Sequence, residues 1–482
     1  MKREARKILL PVMEMTEVTD ENDCGAIKVV LPQTGSHQEY YLRKMHDAAT
    51  GDRKDNKPIW MGSKFNLYPV VLDKNGAPWA EANIYLMSRI ESSIDPVMST
   101  FSSIADSLAA FRRFLDETEI DWIEFPQQKL KRPTYRFFGY LKLKIASGKM
   151  KDSTAKRHMS AVISFYSWLI KDKALNPTNS PWRASESFIQ LADARGFKFS
   201  KQVTSTDISI KRSDSHDPYD DHISDGGKLR PLIKQEQEWL IDALIELENT
   251  EMLLIHLIGL LTGSRIQTIL TLRLKHIAAQ IDTNNFGEVR IPVGPGTDTD
   301  TKNNKKLVLH LPGWLYQKLH IYANSERAQK RRARAKGRNT NDQYLFLSMR
   351  GSPFYMSKAE SLIFDASHSK RHAKTGQAVR QFITDKVIPL IRSKFNAPNF
   401  SYQFHDTRAT YGMNLTDCQL ERVNMGEITL HQAREFVKAR MGHQSPATTD
   451  KYLQYRSNHQ LASNINIKYD EHLRKLTEGN FQ

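Results

Sequence analysis

Six side chains in the second half of the sequence are of types suited to phosphate chemistry. Arg265 ends the run Thr262-Gly263-Ser264-Arg265. Lys302 lies in a polar stretch rich in Gly, Thr, Asp and Asn. His405 and Arg408 belong to His405-Asp406-Thr407-Arg408, His443 follows Gly442, and Tyr452 stands nine residues after His443. A phosphodiester is monoanionic and repels nucleophiles. Two guanidiniums can grip both of its non-bridging oxygens and hold the negative charge that grows in the transition state. Arginine suits that task better than lysine because its fork is planar and always charged. A tyrosine with an ordinary pKa near 10 is mostly protonated, so as a nucleophile it needs cationic neighbours or a base. Each piece alone is weak. With 16 histidines and 70 Lys+Arg in 482 positions, a histidine followed three residues later by a base arises about twice by chance, and a histidine followed nine later by a tyrosine about once in two such chains. The order, the local contexts and the spacing make the set specific.

The elements that must carry these residues can be read from periodicity. Arg265 follows an apolar stretch, 252–261, that includes His256. At about ten residues it is half of what a membrane span needs, so it reads as a buried helix. A charge directly after such a helix is better explained as lining a site than as a surface residue. Lys302 and Lys305 lie in a long polar turn between two strand patterns, 288–293 and 306–311, which together read as a hairpin. From there to about 460 the pattern is mostly helical. Upstream, Phe101, Ile104, Leu108, Phe111 and Leu115 share one helical face. A second helix is expected from Ser153-Thr154 as its cap, with a stripe of Met159, Val162, Ile163, Tyr166 and Leu169, and with Lys156, Arg157 and His158 in its first turns. The expected organisation is a mixed N-terminal segment over 1–97, a compact helical domain over 98–192, a polar linker or extended strap over 193–230 closed by Asp225-Gly226-Gly227, an α+β domain over 231–460 and a tail over 461–482. In the first segment, Asn75-Gly76 reads as a β-hairpin turn. The fold class is mostly α with a small β-sheet.

Composition bounds the partners. The formal net charge of +16, with 39% hydrophobic and 26% charged residues, fits a folded chain with a polyanionic partner, nucleic acid before membrane. A basic tract, Arg327, Lys330, Arg331, Arg332, Arg334, Lys336 and Arg338, contains no acid. It reads either as a phosphate-contacting arm or as a solvated basic loop. Cys24 and Cys418 lie too far apart for a disulfide scaffold or a cysteine-based zinc site, which suits a reducing cytoplasm. The N-terminal apolar run is too short and interrupted for a signal peptide. No repeat of solenoid length is visible.

In this order and spacing the residues resemble the tyrosine recombinases of the phage-integrase family. That family carries an arginine in a T-G-x-R context, a lysine in a β-hairpin loop, H-x-x-R, and G-H with the nucleophilic tyrosine nine residues on. The resemblance covers about residues 98–460, and the helical domain resembles the family's core-binding domain. It implies that Arg265 and Arg408 bind the scissile phosphate and that Tyr452 attacks it, giving a 3′-phosphotyrosyl bond and a free 5′-hydroxyl. Lys302 would protonate the departing oxygen, with Lys305 as the second choice. His405 and His443 would contact the phosphate, His405 assisting proton transfer. Tyr455, one helical turn on, is at the wrong spacing. No cofactor and no metal are implied.

The resemblance further implies double-stranded DNA recombination sites as substrate, two domains clamping DNA, and four protomers exchanging strands through a Holliday junction. A directionality factor or DNA-bending protein would be the accessory partner. The tail would dock on a neighbouring protomer, and the protein would act in the cytoplasm, on the nucleoid. Lys156, Arg157, His158, Arg327, Lys330, Arg331, Arg332 and Arg334 are the candidate DNA-binding residues. Residues 1–97 would bind secondary arm sites or brace the helical domain. A mobile-element integrase is the first reading. A Xer-like resolvase of replicon dimers, a non-catalytic DNA-binding relative and a type IB topoisomerase are the others.

The sequence departs from the family in places. Thr268 stands where an acid is frequent, Ala409 where a histidine is frequent, and Asp406-Thr407 replaces Asp-Leu. The Arg265–His405 and Arg408–His443 intervals are long, with the basic tract and residues 416–435 as expected insertions.

Overall fold

The structure, a computed structural model, describes the chain except residues 1–3, 15, 23–26, 34–35, 45–63, 94–95, 173, 193–197, 212–221, 279–286, 366 and 479–482. Cys24 lies outside the described residues. The chain forms two compact units, Met1–Asp214 with Leu362–Ala373, and Ser215–Ser361 with Lys374–Gln482. It is mostly helical with small antiparallel sheets.

In the first unit β1 (Arg6–Glu14) pairs with β5 (Lys64–Leu72), in a register from Arg6↔Leu72 to Glu14↔Lys64. Three more strands, β2 (Thr16–Thr19), β3 (Ile27–Gln33) and β4 (Ser36–Lys44), form a sheet in the order β2-β4-β3. After β5 the Asp73 carboxylate accepts from the amides of Asn75 and Ala77, and Gly76 is left-handed at φ 88°. This is the hairpin turn expected at Asn75-Gly76: the Asp73 amide donates to the Ala77 carbonyl and the Trp79 amide to the Val71 carbonyl, so the chain returns antiparallel on β5. A single bridge, Leu72↔Pro78, comes next, and the chain enters α1 (Ala80–Glu91). The returning arm is short because Trp79, at 4% exposure, is buried in the core and the helix begins at the next residue.

The helices α2 (Met98–Thr118), α3 (Pro133–Ala146) and α4 (Asp152–Lys171) surround an aromatic core. Phe111, Phe137, Phe165 and Tyr166 are fully buried there with Leu108. Each such ring contributes about 1.5–3 kcal/mol by leaving water. The expected cap of α4 is displaced: Lys151 occupies the cap position with no side-chain bond, and Asp152 in the first turn supplies negative charge to the helix N-terminus instead. Strands β6 (Ala184–Ala192) and β7 (Lys198–Thr206) pair in antiparallel fashion, and Ile208 and Ile210 beyond them are buried. The segment 362–373 belongs to this unit. Asn66 donates to the Ile363 carbonyl and accepts from the Asp365 amide.

The second unit opens with the two-residue strands β8 (Ile223–Ser224) and β9 (Lys228–Leu229). Then come α5 (Lys234–Glu246), α6 (Thr250–Thr262) and α7 (Ile266–Leu270). The hairpin expected from the sequence is present: β10 (Glu288–Val293) pairs with β11 (Leu307–Pro312), Val293 opposite Leu307. Its inward residues Ile291, Val293, Leu309 and Leu311 are buried against the apolar helix α6, in one core with Leu315 and Leu319. The chain continues through α8 (Gly313–Asn324), α9 (Glu326–Ala333), α10 (Lys358–Leu362), α11 (Gln377–Phe382) and α12 (Ile388–Lys394), the last two joined by a π turn. It ends in α13 (Asp406–Asn424), α14 (Leu430–Met441) and the long α15 (Pro446–Glu478). Among the described residues no helix is long and apolar enough to cross a membrane.

Candidate active site

Four element ends converge on one point of the second unit. α6 stops at Gly263, left-handed at φ 63°. A Cβ at Gly263 would come 2.6 Å from Tyr411, so the stop also permits close packing with α13. Arg265 is the first residue outside α7. Its Nε is buried without a hydrogen-bond partner, and its Nη2 lies 3.9 Å from Asp225 Oδ1.

Arg408, in the first turn of α13, is 5% exposed. Its Nη1 donates to the Gly263 carbonyl at 2.9 Å and its Nη2 to the Met441 carbonyl at 2.8 Å. These are the C-terminal ends of α6 and α14, where unpaired carbonyls and the helix dipole favour a cation. The two bonds fix the guanidinium plane and leave Nε to donate to Asp225 Oδ2 at 2.7 Å. The base of α13 is tied in turn by Asp406, whose carboxylate accepts from the amides of Arg230 and Gln403.

His443 comes after Gly442, which is left-handed at φ 64°. Its Nδ1 meets Thr449 Oγ1 at 3.0 Å and its Nε2 meets Asp225 Oδ2 at 3.1 Å. Tyr452 on α15 is fully buried, stacked on His443 at 5.7 Å between ring centres. Its hydroxyl donates to Asp225 Oδ2 at 3.1 Å. Gly412 makes room for the ring: a Cβ there would fall 2.4 Å from Tyr452 Cε1. Burial, and then the charge of Asp225, push the Tyr452 phenol well above its ordinary value, with Arg408 and Arg265 pulling the other way.

His405 stands just before α13. Burial first, then the charges of Arg265 and Arg408, lower its pKa to about 4, so the imidazole is neutral at pH 7. Lys302 lies in the short helical turn between β10 and β11 and lines a cavity of about 560 Å³ with Arg265, Arg408, Thr262 and Thr268. Lys305 feels the same surroundings: slight burial, then Arg265 and Arg408, lower its pKa. Thr268, at the acid position of the family pattern, is buried and lines the same cavity. Tyr455 packs at the edge of the small cluster formed by Ile223, Met413, Val437, Met441 and Tyr452.

The residue that sequence reasoning misses is Asp225. In the sequence it is only part of a turn, yet its side chain is 6% exposed and bonds Arg408, His443 and Tyr452. Burial alone would raise its pKa, but the His443 hydrogen bond and Arg408 hold it far below the carboxylate range. An acid before two glycines is the available signal.

The candidate DNA-binding residues fall in different settings. Lys156 and Arg157 are exposed on α4. His158 is buried, and burial first, then Arg157, lowers its pKa to about 4. It is a core residue, not a surface contact. The basic tract is not a free arm. Much of it forms α9, and Arg327 and Arg331 both pair with Glu251, which is fully buried. Arg331 also donates to the Leu347 carbonyl, and Arg332 is buried with Nε on Asn339. Lys330 pairs with Glu326, and Arg334 donates to the Met349 carbonyl, both at the surface. A buried acid 76 residues upstream of Arg327 thus organises a tract whose own sequence has none. Among the described residues no group of three or more His, Cys, Asp or Glu is placed to hold a metal ion.

No protein-family model matches the chain. No curated protein matches it either. Solved structures similar to it include a lambda integrase (75–356) dimer bound to a COC′ core site, at 12% identity and TM-score 0.42, covering 78% of this chain and 95% of that one. The Tn1549 transposon integrase (82–397) in complex with circular intermediate DNA matches at 13% identity and TM-score 0.40, covering 77% and 94%. XerA recombinase matches at 16% and 0.29, covering 80% and 98%.

Proposed function

We propose that the chain is a site-specific tyrosine recombinase, an integrase of a mobile element, that cleaves and rejoins duplex DNA. One observation carries the reading: Arg265, Lys302, His405, Arg408, His443 and Tyr452, spread over 188 positions of sequence, all lie against the turn Asp225-Gly226, where the Asp225 carboxylate takes an anion's place. With a scissile phosphate there, Arg265 and Arg408 hold its non-bridging oxygens and stabilise the pentacovalent transition state. The Tyr452 oxygen attacks phosphorus and its proton passes to a neighbouring base, for which neutral His405 is the candidate. The P–O5′ bond breaks, and Lys302, or Lys305, protonates the leaving oxygen. The products are a 3′-phosphotyrosyl bond and a 5′-hydroxyl. The phosphodiester energy is retained, so attack by a 5′-hydroxyl from a second duplex reseals the strand without ATP.

In this reading residues 98–192 are the core-binding domain and 231–460 the catalytic domain. Four protomers exchange strands through a Holliday junction, and the end of α15, beyond residue 460, docks on a neighbouring protomer. Long-read sequencing of cells carrying the gene in its native neighbourhood tests the reading. Circularised or rejoined junctions at an element boundary, present with the wild type and absent with Tyr452→Phe, are expected. Junctions only at replicon dimers would favour dimer resolution, and junctions in both strains would remove Tyr452 from the chemistry.

A further inference from the structure

The turn Asp225-Gly226-Gly227 lies in the middle of the candidate active site. It is held between two short strands, with the Asp225 amide donating to the Gly227 carbonyl at 3.1 Å. Asp225 takes the Nε of Arg408, the Nε2 of His443 and the hydroxyl of Tyr452 on one oxygen and faces Arg265 with the other. Gly226 lies beside the other two, Lys302 and His405, and beside Arg265 again. A Cβ built on it would lie 3.4 Å from Lys302 Nζ, 3.5 Å from Arg265 Nη2 and 3.9 Å from His405 Nε2. Two consecutive residues therefore lie against every residue of the set, four of them bonded to or facing Asp225.

A carboxylate and a phosphodiester are both monoanions with oxygens placed for a guanidinium, and one pocket cannot hold both. The turn has backbone freedom. Gly226 is left-handed at φ 72° and precedes a second glycine. Its two ends are fixed independently, Ile223 and Leu229 by burial and Arg230 by its amide bond to Asp406.

We propose that Asp225-Gly226-Gly227 is an internal stand-in for the scissile phosphate, an autoinhibitory contact that a DNA phosphate must displace. This rests on the reading of the site as a recombinase centre. In the closed state Asp225 bonds Arg408 and faces Arg265, and its acceptor oxygen keeps the proton on Tyr452. The nucleophile is thus disarmed until a phosphate replaces the carboxylate. Exchange trades one anion for another, so the cation cluster is never left uncompensated.

The test uses the full chain as wild type, Asp225→Ala and Asp225→Asn, the latter keeping side-chain shape. Two readouts are needed. Without DNA, phenylglyoxal modification of Arg408 is followed by peptide mass spectrometry. With a nicked duplex carrying the recovered junction sequence, the initial rate of covalent protein–DNA complex is followed on denaturing gels. Both variants should raise both rates about tenfold, the worth of one charge-assisted hydrogen bond to a buried cation. In the wild type, hydrogen exchange at the Asp225 amide should quicken on binding the duplex, a readout that needs no variant to fold. Unchanged exchange, or variants that form the complex more slowly than wild type with Arg408 no more reactive, would overturn the proposal and make Asp225 a positioning residue. Faster Arg408 modification with no covalent complex from any of the proteins would support the turn as occupant while refuting the recombinase reading.

Discussion

Replacing Arg408 by lysine keeps the charge and removes the fork. In the native site three donors on one plane reach the Gly263 carbonyl, the Met441 carbonyl and Asp225 at 2.9, 2.8 and 2.7 Å. A lysine ammonium can approach one of these while the stem fills the rest. Two buried acceptors at helix ends then go unpaired, each costing about 1–3 kcal/mol. Allowing for partial relaxation, the unfolding free energy should fall by about 2–4 kcal/mol, a large part of the 5–15 kcal/mol typical of a domain. The chemical cost adds to this, because a mispointed cation no longer tracks charge in the transition state, a loss of about 10²–10³ in cleavage rate. Urea unfolding and suicide-substrate cleavage of Arg408→Lys would measure the two. Stability within 1 kcal/mol of wild type, or cleavage within about threefold, would show that the planar clamp is not what the site uses.

The remaining predictions concern other parts of the site and its scaffold. Gly412→Ala should push a methyl into Tyr452 Cε1, which lies 2.4 Å from the ideal Cβ. It should cost about 1–3 kcal/mol and slow covalent complex formation, and an unchanged cleavage rate would show that the ring is not held by this contact. Glu251→Gln should cost about 3–5 kcal/mol, because Arg331 and Arg327 lose their buried partner. Burial alone would raise the Glu251 pKa, but the Arg327 hydrogen bond and Arg331 hold it below the ordinary 4.5. Its stabilising contribution is therefore complete above that value and fades as pH falls through the lower folded one. Unfolding from pH 7 to pH 3 should lose less stability in the glutamine variant than in wild type, and equal losses would contradict the pairing. Lys302→Ala should cleave a duplex with a 5′-bridging sulfur at nearly the wild-type rate while failing on ordinary DNA, since a thiolate leaves without a proton. If Lys305→Ala shows that pattern instead, the acid is Lys305.

The features legible in the sequence are local ones. The strand pattern 288–293 and 306–311 and the apolar stretch 252–261 depend on residues within a few positions of one another; the hairpin and the buried helix form there, the second strand shifted by one residue to 307–312. Pairings between distant segments are not legible. β1 finds β5 across a long intervening stretch with no shared signal, and β6 and β7 lack the regular apolar alternation that would announce a strand pair. Asn75-Gly76 specifies the turn and the return on β5, but not how short the returning arm is, which the buried Trp79 and the helix after it decide. The arginine run looks like an arm because a charge pattern cannot reveal a partner as distant as Glu251. His158 falls in a helical turn with two bases, and only packing shows that it faces inward. Of the site, the six side chains are named from the motifs that carry the family resemblance, and all six lie against Asp225-Gly226. Asp225 cannot be named this way, because its hydrogen-bond partners lie 183 to 227 positions away.

The central claim is that Tyr452 becomes covalently attached to DNA. The most direct measurement incubates the wild type and Tyr452→Phe with a nicked duplex bearing the recovered junction, then runs denaturing electrophoresis and maps the peptide that retains nucleotide. The account predicts a protein–DNA adduct on the peptide containing Tyr452 in the wild type, none in the variant, and equal gel-shift binding by both. An adduct that persists in Tyr452→Phe, or one mapped to Tyr455, would contradict it.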